Sequence, residues 1–436
     1  MKKNQFCYLL FERLKTESIK YAVLRNCRSL PFNTAGSDLD IWVSENGKDE
    51  FLKLVEDVAS YLHSKLVSFL PDIKCPKLCY LNANEGIQMD VFIGDISFQN
   101  NKMIPENDIV NHITNYNGIY VLDDDYANLI AYLKEIVNNG QCGEKYILPL
   151  KTNKHVFTKT YLTNNLKLFP SDFIELLRTS INNDMLDHNA KNLSVKARKG
   201  IVKNSILLYR LGKLKRLNHA PGYVLAVEGT DGSGKSTVIN SITPILSEAF
   251  HKGVIYNHLR PNAIPDLGVL LGKKNKEDAV TVNTAPHSLK QSGFCGSLIR
   301  WGYYFIDYTL GYLKIVWPKI HTKSKVYIFD RYYYDYYIDQ KRSRTSLPNW
   351  IIRVGDFFVP KPDLIICLGG DPHKIYERKP ETSLEEVTRQ IDALNIFCMK
   401  KKNAVWVDTT QPIEKSVNDV MAAIVEMMSK RFVNTL

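Results

Sequence analysis

From Tyr223 to the end of the chain, short apolar runs alternate with stretches whose apolar residues recur at helical spacing. Val224–Glu228, Val254–Tyr256, Lys325–Asp330, Asp363–Leu368 and Ala404–Val407 read as strands, and Val238, Ile239, Ile242 and Leu246 mark the first helix between them. Such alternation predicts an α/β domain, a parallel sheet with helices on both faces. The pattern before it is different. Tyr21–Leu24, Leu39–Val43 and Gln88–Ile93 read as short strands mixed with helices, which predicts a small α+β domain over residues 1–115. Residues 116–195 are mostly helical, as in Tyr126–Val137 and Asp172–Ser180, and a basic linker over 196–221 ends at Pro221-Gly222. The C-terminal domain then occupies residues 222–436. The most apolar long stretch, Leu298–Ile320, carries Arg300, Asp307 and Lys314, so it predicts a buried amphipathic helix rather than a membrane span.

Composition narrows the class. A chain of 436 residues is too long for one ordinary core, and 44% hydrophobic with 24% charged residues is the balance of a soluble globular protein. Nothing at the N-terminus reads as a signal peptide, and the eight cysteines show neither a disulfide framework nor zinc spacing; reduced thiols in a cytoplasmic protein follow. Much of the net charge of +11 is local, with nine Lys/Arg and no Asp or Glu between Lys191 and Arg216. Interleaved Ile201, Leu207 and Leu211 suit an inter-domain helix, and peripheral contact with an anionic membrane through 191–216 is the second reading. Tyr209 is the one aromatic residue there, so there is no strong nucleic-acid signal. The sequence leaves a homodimer open.

The chemistry is densest at Glu228-Gly229-Thr230-Asp231-Gly232-Ser233-Gly234-Lys235-Ser236-Thr237. A strand running into G-x-x-x-x-G-K-S and then a helix is the setting of a phosphate-binding loop. Gly229, Gly232, Ser233 and Gly234 let backbone N–H groups converge on the phosphates of ATP, at a helix N-terminus that favours anions. Lys235 reaches the β- and γ-phosphates, and the hydroxyl of Ser236, followed by Thr237, serves Mg²⁺. Asp330 and Arg331 end an apolar strand, where ligands of such sheets bind. Arg260, Arg378, Lys379 and Arg389 also follow strands and complete a set of candidate phosphate contacts.

Over about residues 222–436 the chain resembles the thymidylate kinase family of P-loop nucleoside monophosphate kinases. The resemblance rests on the phosphate loop, on His258-Leu259-Arg260-Pro261, on Asp330-Arg331-Tyr332, on Pro362-Asp363-Leu364 with the strand after it, and on Asp371-Pro372 and Glu377-Arg378-Lys379. It implies an ATP- and Mg²⁺-dependent kinase with Lys235, Asp330, Arg331 and Arg378 in catalysis. Asp231 then faces the acceptor's sugar, Arg260 and Arg331 hold its phosphate, and Tyr332 lies beside them. Asp330 orients Mg²⁺ and its waters or accepts a proton, while Arg378, Lys379 and Arg389 belong to a lid. Two departures bear on the acceptor. The family's base-reading arginine is missing from Ile306-Asp307-Tyr308-Thr309-Leu310, and its serine-rich segment is replaced by Tyr333-Tyr334-Asp335-Tyr336-Tyr337. Those tyrosines suit either ring stacking or core packing. The acceptor is therefore a small phosphate-bearing or sugar/nucleotide compound. Beside this stand a genuine dTMP kinase and a regulatory ATP-binding protein without an acceptor.

In the N-terminal region, Gly36-Ser37-Asp38-Leu39-Asp40 sets two carboxylates on one side of a strand, and Asp90 lies in a second strand. Three such carboxylates suit Mg²⁺ ions in attack on a nucleotide α-phosphate. Over roughly residues 8–115 this resembles the DNA polymerase β-type nucleotidyltransferase superfamily, which implies Asp38, Asp40 and Asp90 as metal ligands. The superfamily's Gly-Ser after the preceding strand is replaced by Leu24-Arg25-Asn26.

Overall fold

The computed structural model describes residues 3–72, 74–98, 101–199, 214, 216, 219–270, 272 and 291–433. Most of the expected basic linker, including Ile201, Leu207 and Leu211, lies outside the described residues. The chain divides into two units, with the principal division between residues 218 and 219.

Among the described residues the N-terminal unit is built on nine strands: β1 (Tyr21–Val23), β2 (Leu39–Val43), β3 (Lys65–Leu70), β4 (Lys77–Leu81), β5 (Gly86–Ile93), β6 (Ile96–Phe98), β7 (Asn101–Ile104), β8 (Ile113–Tyr116) and β9 (Ile119–Leu122). Seven of them form one mixed sheet in the order β3-β4-β5-β2-β1-β9-β8, and β6 and β7 pair separately. The period of two along each strand sorts the side chains. Leu39, Ile41 and Val43 of β2, with Met89 and Val91 of β5, pack against Phe6, Leu10, Phe51 and Val55 of helices Gln5–Leu14 and Lys48–Tyr61. Trp42 and Phe92 point to the opposite face, into a core shared with Tyr126, Leu129, Leu133, Phe173 and Leu193. The helices over 124–197 thus roof the sheet and complete its core. The sheet also runs on through Leu122, beyond the expected boundary at 115. Asp123 caps the first roofing helix, Asp124–Asn139, by accepting from Tyr126 N.

The C-terminal unit holds a five-stranded, all-parallel sheet, β11-β12-β10-β13-β14, from β10 (Tyr223–Gly229), β11 (Val254–His258), β12 (Val326–Asp330), β13 (Leu364–Gly369) and β14 (Ala404–Asp408). β10, β12 and β13 are buried throughout, which is why they read as uninterrupted apolar runs. Helix Lys235–Ala249 packs on β10, β11 and β12 and against helix Ile413–Ser429. On the other side Val224, Ala226, Phe329 and Ile365 meet Tyr312, Val316, Leu394 and Phe397.

One expectation needs correction here. The helical stretch 294–322 buries Tyr308, Tyr312, Val316 and Ile320, yet its outer face is apolar too, with Ile299, Ile306, Leu310, Leu313 and Trp317 exposed. Among the described residues no helix is long and apolar enough to cross a membrane. All eight cysteines are free thiols.

Candidate active site

β10 delivers the phosphate loop to the carboxyl edge of the parallel sheet. Two glycines set its path. Gly232 has φ +84°, and a Cβ there would meet the Ile375 carbonyl at 2.5 Å; Gly234 has φ +79° with open space around it. Helix Lys235–Ala249 starts at once, so Ser236 and Thr237 stand in its first turn. Lys235 is folded back on the loop, donating to the carbonyls of Gly229 (3.0 Å) and Thr230 (2.8 Å). Burial, reinforced by the charge of Arg331, lowers its pKa to about 7.

A cleft of about 550 Å³ opens over this loop. Asp231, Gly232, Gly234, Lys235, Ser236 and Thr237 line one part, Asp330 and Arg331 another, and Arg378 and Lys379 a third. Arg378 is anchored to the Thr409 carbonyl at 3.0 Å. Asp330 ends β12 and accepts from the Tyr256 hydroxyl at 3.0 Å, with His258 Nδ1 at 3.7 Å. Burial raises its pKa, but His258, Lys235 and Arg331 outweigh that and draw it down to about 2. Directly after it, Arg331 takes the left-handed conformation (φ +70°) while its N–H donates to Val227 O at 2.9 Å. This turn aims the guanidinium at Asp231 (3.0 Å) and Asp335 (2.9 Å). Glu228, wholly buried, fixes the same turn by accepting from Tyr332 N at 2.8 Å; burial and the nearby Asp335 push its carboxyl well above the usual range.

Several expected roles change once side chains are placed. Arg260 does not line the cleft: its guanidinium is bound to the buried Asp307 and to Ile264 O (2.9 Å) and lies over the Tyr304 ring. Asp307 accepts from Asn262 N and Ala263 N as well, so Arg260 pins the loop after β11 instead of presenting a free cation. Tyr332 is fully buried, its hydroxyl donating to Pro360 O at 2.9 Å, and is a core residue. Tyr333, Tyr334 and Tyr336 are buried with it in the same core, and Tyr337 packs half-buried against that core. Arg389 is tied to Glu386 and the Ile338 carbonyl and also stands outside the cleft lining. Conversely, Arg342 enters the cleft beside Arg331 and pairs with Asp231. It sits in the polar run Lys341-Arg342-Ser343-Arg344, which carries no motif signal. His258 and Thr409 also line the cleft unannounced by any role in the motif reading.

A second constellation lies in the N-terminal unit. β2 and β5 run parallel with Asp40 beside Asp90 in register, and oxygens of Asp38, Asp40 and Asp90 lie within 4.8 Å of one another. The set is balanced by cations. Arg25 pairs with Asp40 and approaches Asp38 at 3.5 Å, Lys134 is 3.4 Å from Asp40, and Lys77 is 2.9 Å from Asp90. Burial raises the pKa of Asp40, but Lys134 and Arg25 outweigh it and the carboxyl stays below its ordinary range; at Asp90 burial prevails and the pKa is raised. All-oxygen donor sets of this kind, like Ser236 with Asp330, fit Mg²⁺.

A parallel sheet with a phosphate loop at the edge of its central strand and cations around the cleft defines a P-loop kinase-type domain. Residues 227–420 match the thymidylate kinase family, so the C-terminal unit carries a thymidylate kinase-like domain. Among solved structures, the chain is similar to the thymidylate kinase of Ehrlichia chaffeensis at 19% identity, over 47% of this chain and 98% of that one, with a TM-score of 0.31. No curated protein matches the chain.

Proposed function

We propose that the C-terminal unit is an ATP-dependent kinase acting on a small phosphate-bearing or sugar/nucleotide acceptor other than dTMP. The observation that carries this reading is the single cleft in which the phosphate loop and Asp231, Asp330, Arg331 and Arg342 converge. A protein that used ATP only as a switch would need no polar subsite beyond the loop. In turnover, Lys235 leaves the Gly229 and Thr230 carbonyls for the β- and γ-phosphates, regaining full charge beside them. Backbone N–H groups of the loop hold the remaining phosphate oxygens. Arg378 and Lys379 close over the transferring group, where positive charge counts most. Ser236 and Asp330 would hold Mg²⁺, which would supply charge neutralisation for the transferring phosphoryl group.

Exclusion of dTMP rests on the missing base-reading arginine and on tyrosines that pack inward. A site without the matching polar groups discriminates poorly in favour of that base. The test is ADP release with purified protein across nucleoside monophosphates, sugars and sugar phosphates. Efficient turnover of dTMP, with kcat/KM at or above roughly 10⁴ M⁻¹s⁻¹, contradicts the acceptor assignment and restores a plain dTMP kinase.

A second activity is favoured by the acidic trio of the N-terminal unit. We infer a nucleotidyltransferase-like site in which Asp38, Asp40 and Asp90 hold Mg²⁺ and Arg25 grips the nucleotide's phosphates in place of a Gly-Ser pair. Mn²⁺ binding lost on Asp40→Asn supports it; equal binding by both proteins removes it.

A further inference from the structure

Glu228 is a buried acid that the phosphoryl-transfer chemistry leaves unused. It stands near the end of β10, immediately before the phosphate loop, and is 0% exposed. One carboxyl oxygen accepts from Tyr332 N at 2.8 Å; the other, Oε2, has no hydrogen-bond partner among the described residues. Asp335, 1% exposed, is in the same condition: Oδ1 accepts from Arg331 at 2.9 Å and Oδ2 has no partner. Of the charges around Glu228, that of Asp335 acts on it most strongly, so the two carboxyls are close neighbours. Arg331 and Lys235 favour a Glu228 anion, but burial and Asp335 outweigh them and its carboxyl lies well above the usual range. Tyr308 and Tyr334, raised by burial, and Cys367, raised by Cys398 and burial, are uncharged neighbours.

An ionised Glu228 would be an acceptor only. Two buried carboxylate oxygens would then lie in a region with no donor for either, a costly arrangement in a low-dielectric interior. One proton resolves both. A neutral carboxyl keeps Oε1 for Tyr332 N and offers an O–H at Oε2, and Asp335 Oδ2 is an acceptor that lacks a donor. We propose that Glu228 is protonated at neutral pH and donates to Asp335, and that through this contact it acts as a positioning residue for Arg331. The chain of contacts runs from β10 through Glu228 and Asp335 to the Arg331 guanidinium. Through Tyr332 N the same carboxyl holds the turn in which Arg331 takes its left-handed conformation. Loss of the proton sets two carboxylates against each other and strips Arg331 of its backing. The proton is a property of the fold; its use in holding Arg331 at the cleft rests on the kinase reading above.

Three measurements on the full chain test this. Ordinary carboxyls, with values of about 4, are ionised at pH 8, where infrared spectroscopy in D₂O shows a protonated-carboxyl C=O stretch that disappears in Glu228→Gln. The second measurement is stability. The unfolded chain releases a glutamate proton at about pH 4.3 while the folded chain holds it far higher, so the proton's contribution is complete below that pH and drains as pH rises. From pH 5.5 to 7.5 the wild-type unfolding constant of the C-terminal unit, from urea titration, rises about tenfold per pH unit relative to Glu228→Gln, which titrates in neither state. The third is modification by the guanidinium reagent phenylglyoxal, mapped by mass spectrometry. Arg331, whose side chain is 2% exposed, is protected in the wild type and in Glu228→Gln, whose amide supplies the same donor. It reacts at least tenfold faster in Glu228→Leu. Calorimetric titration with the non-hydrolysable ATP analogue AMPPNP reports that each variant is folded, and the first two measurements need only the isosteric one. A wild-type spectrum identical to that of Glu228→Gln, parallel stability curves for the two proteins, or equal protection of Arg331 in Glu228→Leu overturns the proposal. A wild type that keeps the carboxyl band but fails to bind AMPPNP overturns the kinase reading instead.

Discussion

Gly232→Ala tests whether the phosphate loop is shaped by contact with the segment that carries Arg378. Two costs follow from its position. A left-handed φ of +84° costs an alanine roughly 1–2 kcal/mol. The new methyl also lands 2.5 Å from Ile375 O in helix Pro372–Arg378, an overpacking that typically adds about 1–3 kcal/mol. Gly234→Ala isolates the first cost, since φ is +79° there and nothing lies within 4 Å. At about 2–4 °C per kcal/mol for a unit of roughly 200 residues, the C-terminal thermal transition falls on the order of 10 °C for Gly232→Ala and about 5 °C for Gly234→Ala. Relief of the clash displaces the loop by about 1 Å, which costs on the order of a hundredfold in function. Differential scanning calorimetry and AMPPNP titration measure both effects. Equal melting of the two variants, or unchanged AMPPNP affinity in Gly232→Ala, refutes the contact argument.

Lys235→Ala lowers kcat by on the order of 10²–10³ with circular dichroism unchanged; persistent acceptor-dependent ADP release contradicts its assigned role. Arg260→Ala strips the buried Asp307 of its cation and destabilises the C-terminal unit by about 3–5 kcal/mol, read as a shifted urea midpoint. A normal midpoint with a raised acceptor KM returns Arg260 to the substrate. In the N-terminal unit, burial lowers the pKa of His112, but hydrogen bonds to Asp123 (2.6 Å) and Asn165 (2.8 Å) outweigh it and the net shift is upward. A raised histidine pKa gives stability that is complete below about pH 6.5 and drains as pH climbs through the raised value. Asp123, whose burial is outweighed by His112, is drawn down and withdraws its share only as pH falls through its own lowered value. His112→Gln therefore flattens the melting temperature of this unit from pH 6 to about 8; a wild type already flat over that range contradicts it.

Legibility in the sequence followed locality. The five C-terminal strands announce themselves because burial on both faces makes them apolar runs, and the phosphate loop is contiguous. In the N-terminal unit β1, β2 and β5 were readable, but β8, Ile113–Tyr116, is largely exposed and gives no apolar alternation to read. The roofing helices were visible as helices, yet nothing local says that they share a core with Trp42 and Phe92. In the cleft, Arg342 meets Asp231 across 111 positions of sequence, and the fate of Arg260 is decided by a carboxylate 47 positions away. Cationic residues placed after strands look alike until their partners are known.

The roof over the N-terminal sheet also dictates how this chain can be taken apart. A fragment ending at residue 115 loses β9, whose Val121 pairs with Val23, and leaves Trp42 and Phe92 facing water. It would leave Asp40 without Lys134 as well. The acidic strands and the helices to Ala197 are one indivisible piece of inheritance: a gene that carries the former without the latter must find its aspartates another ceiling.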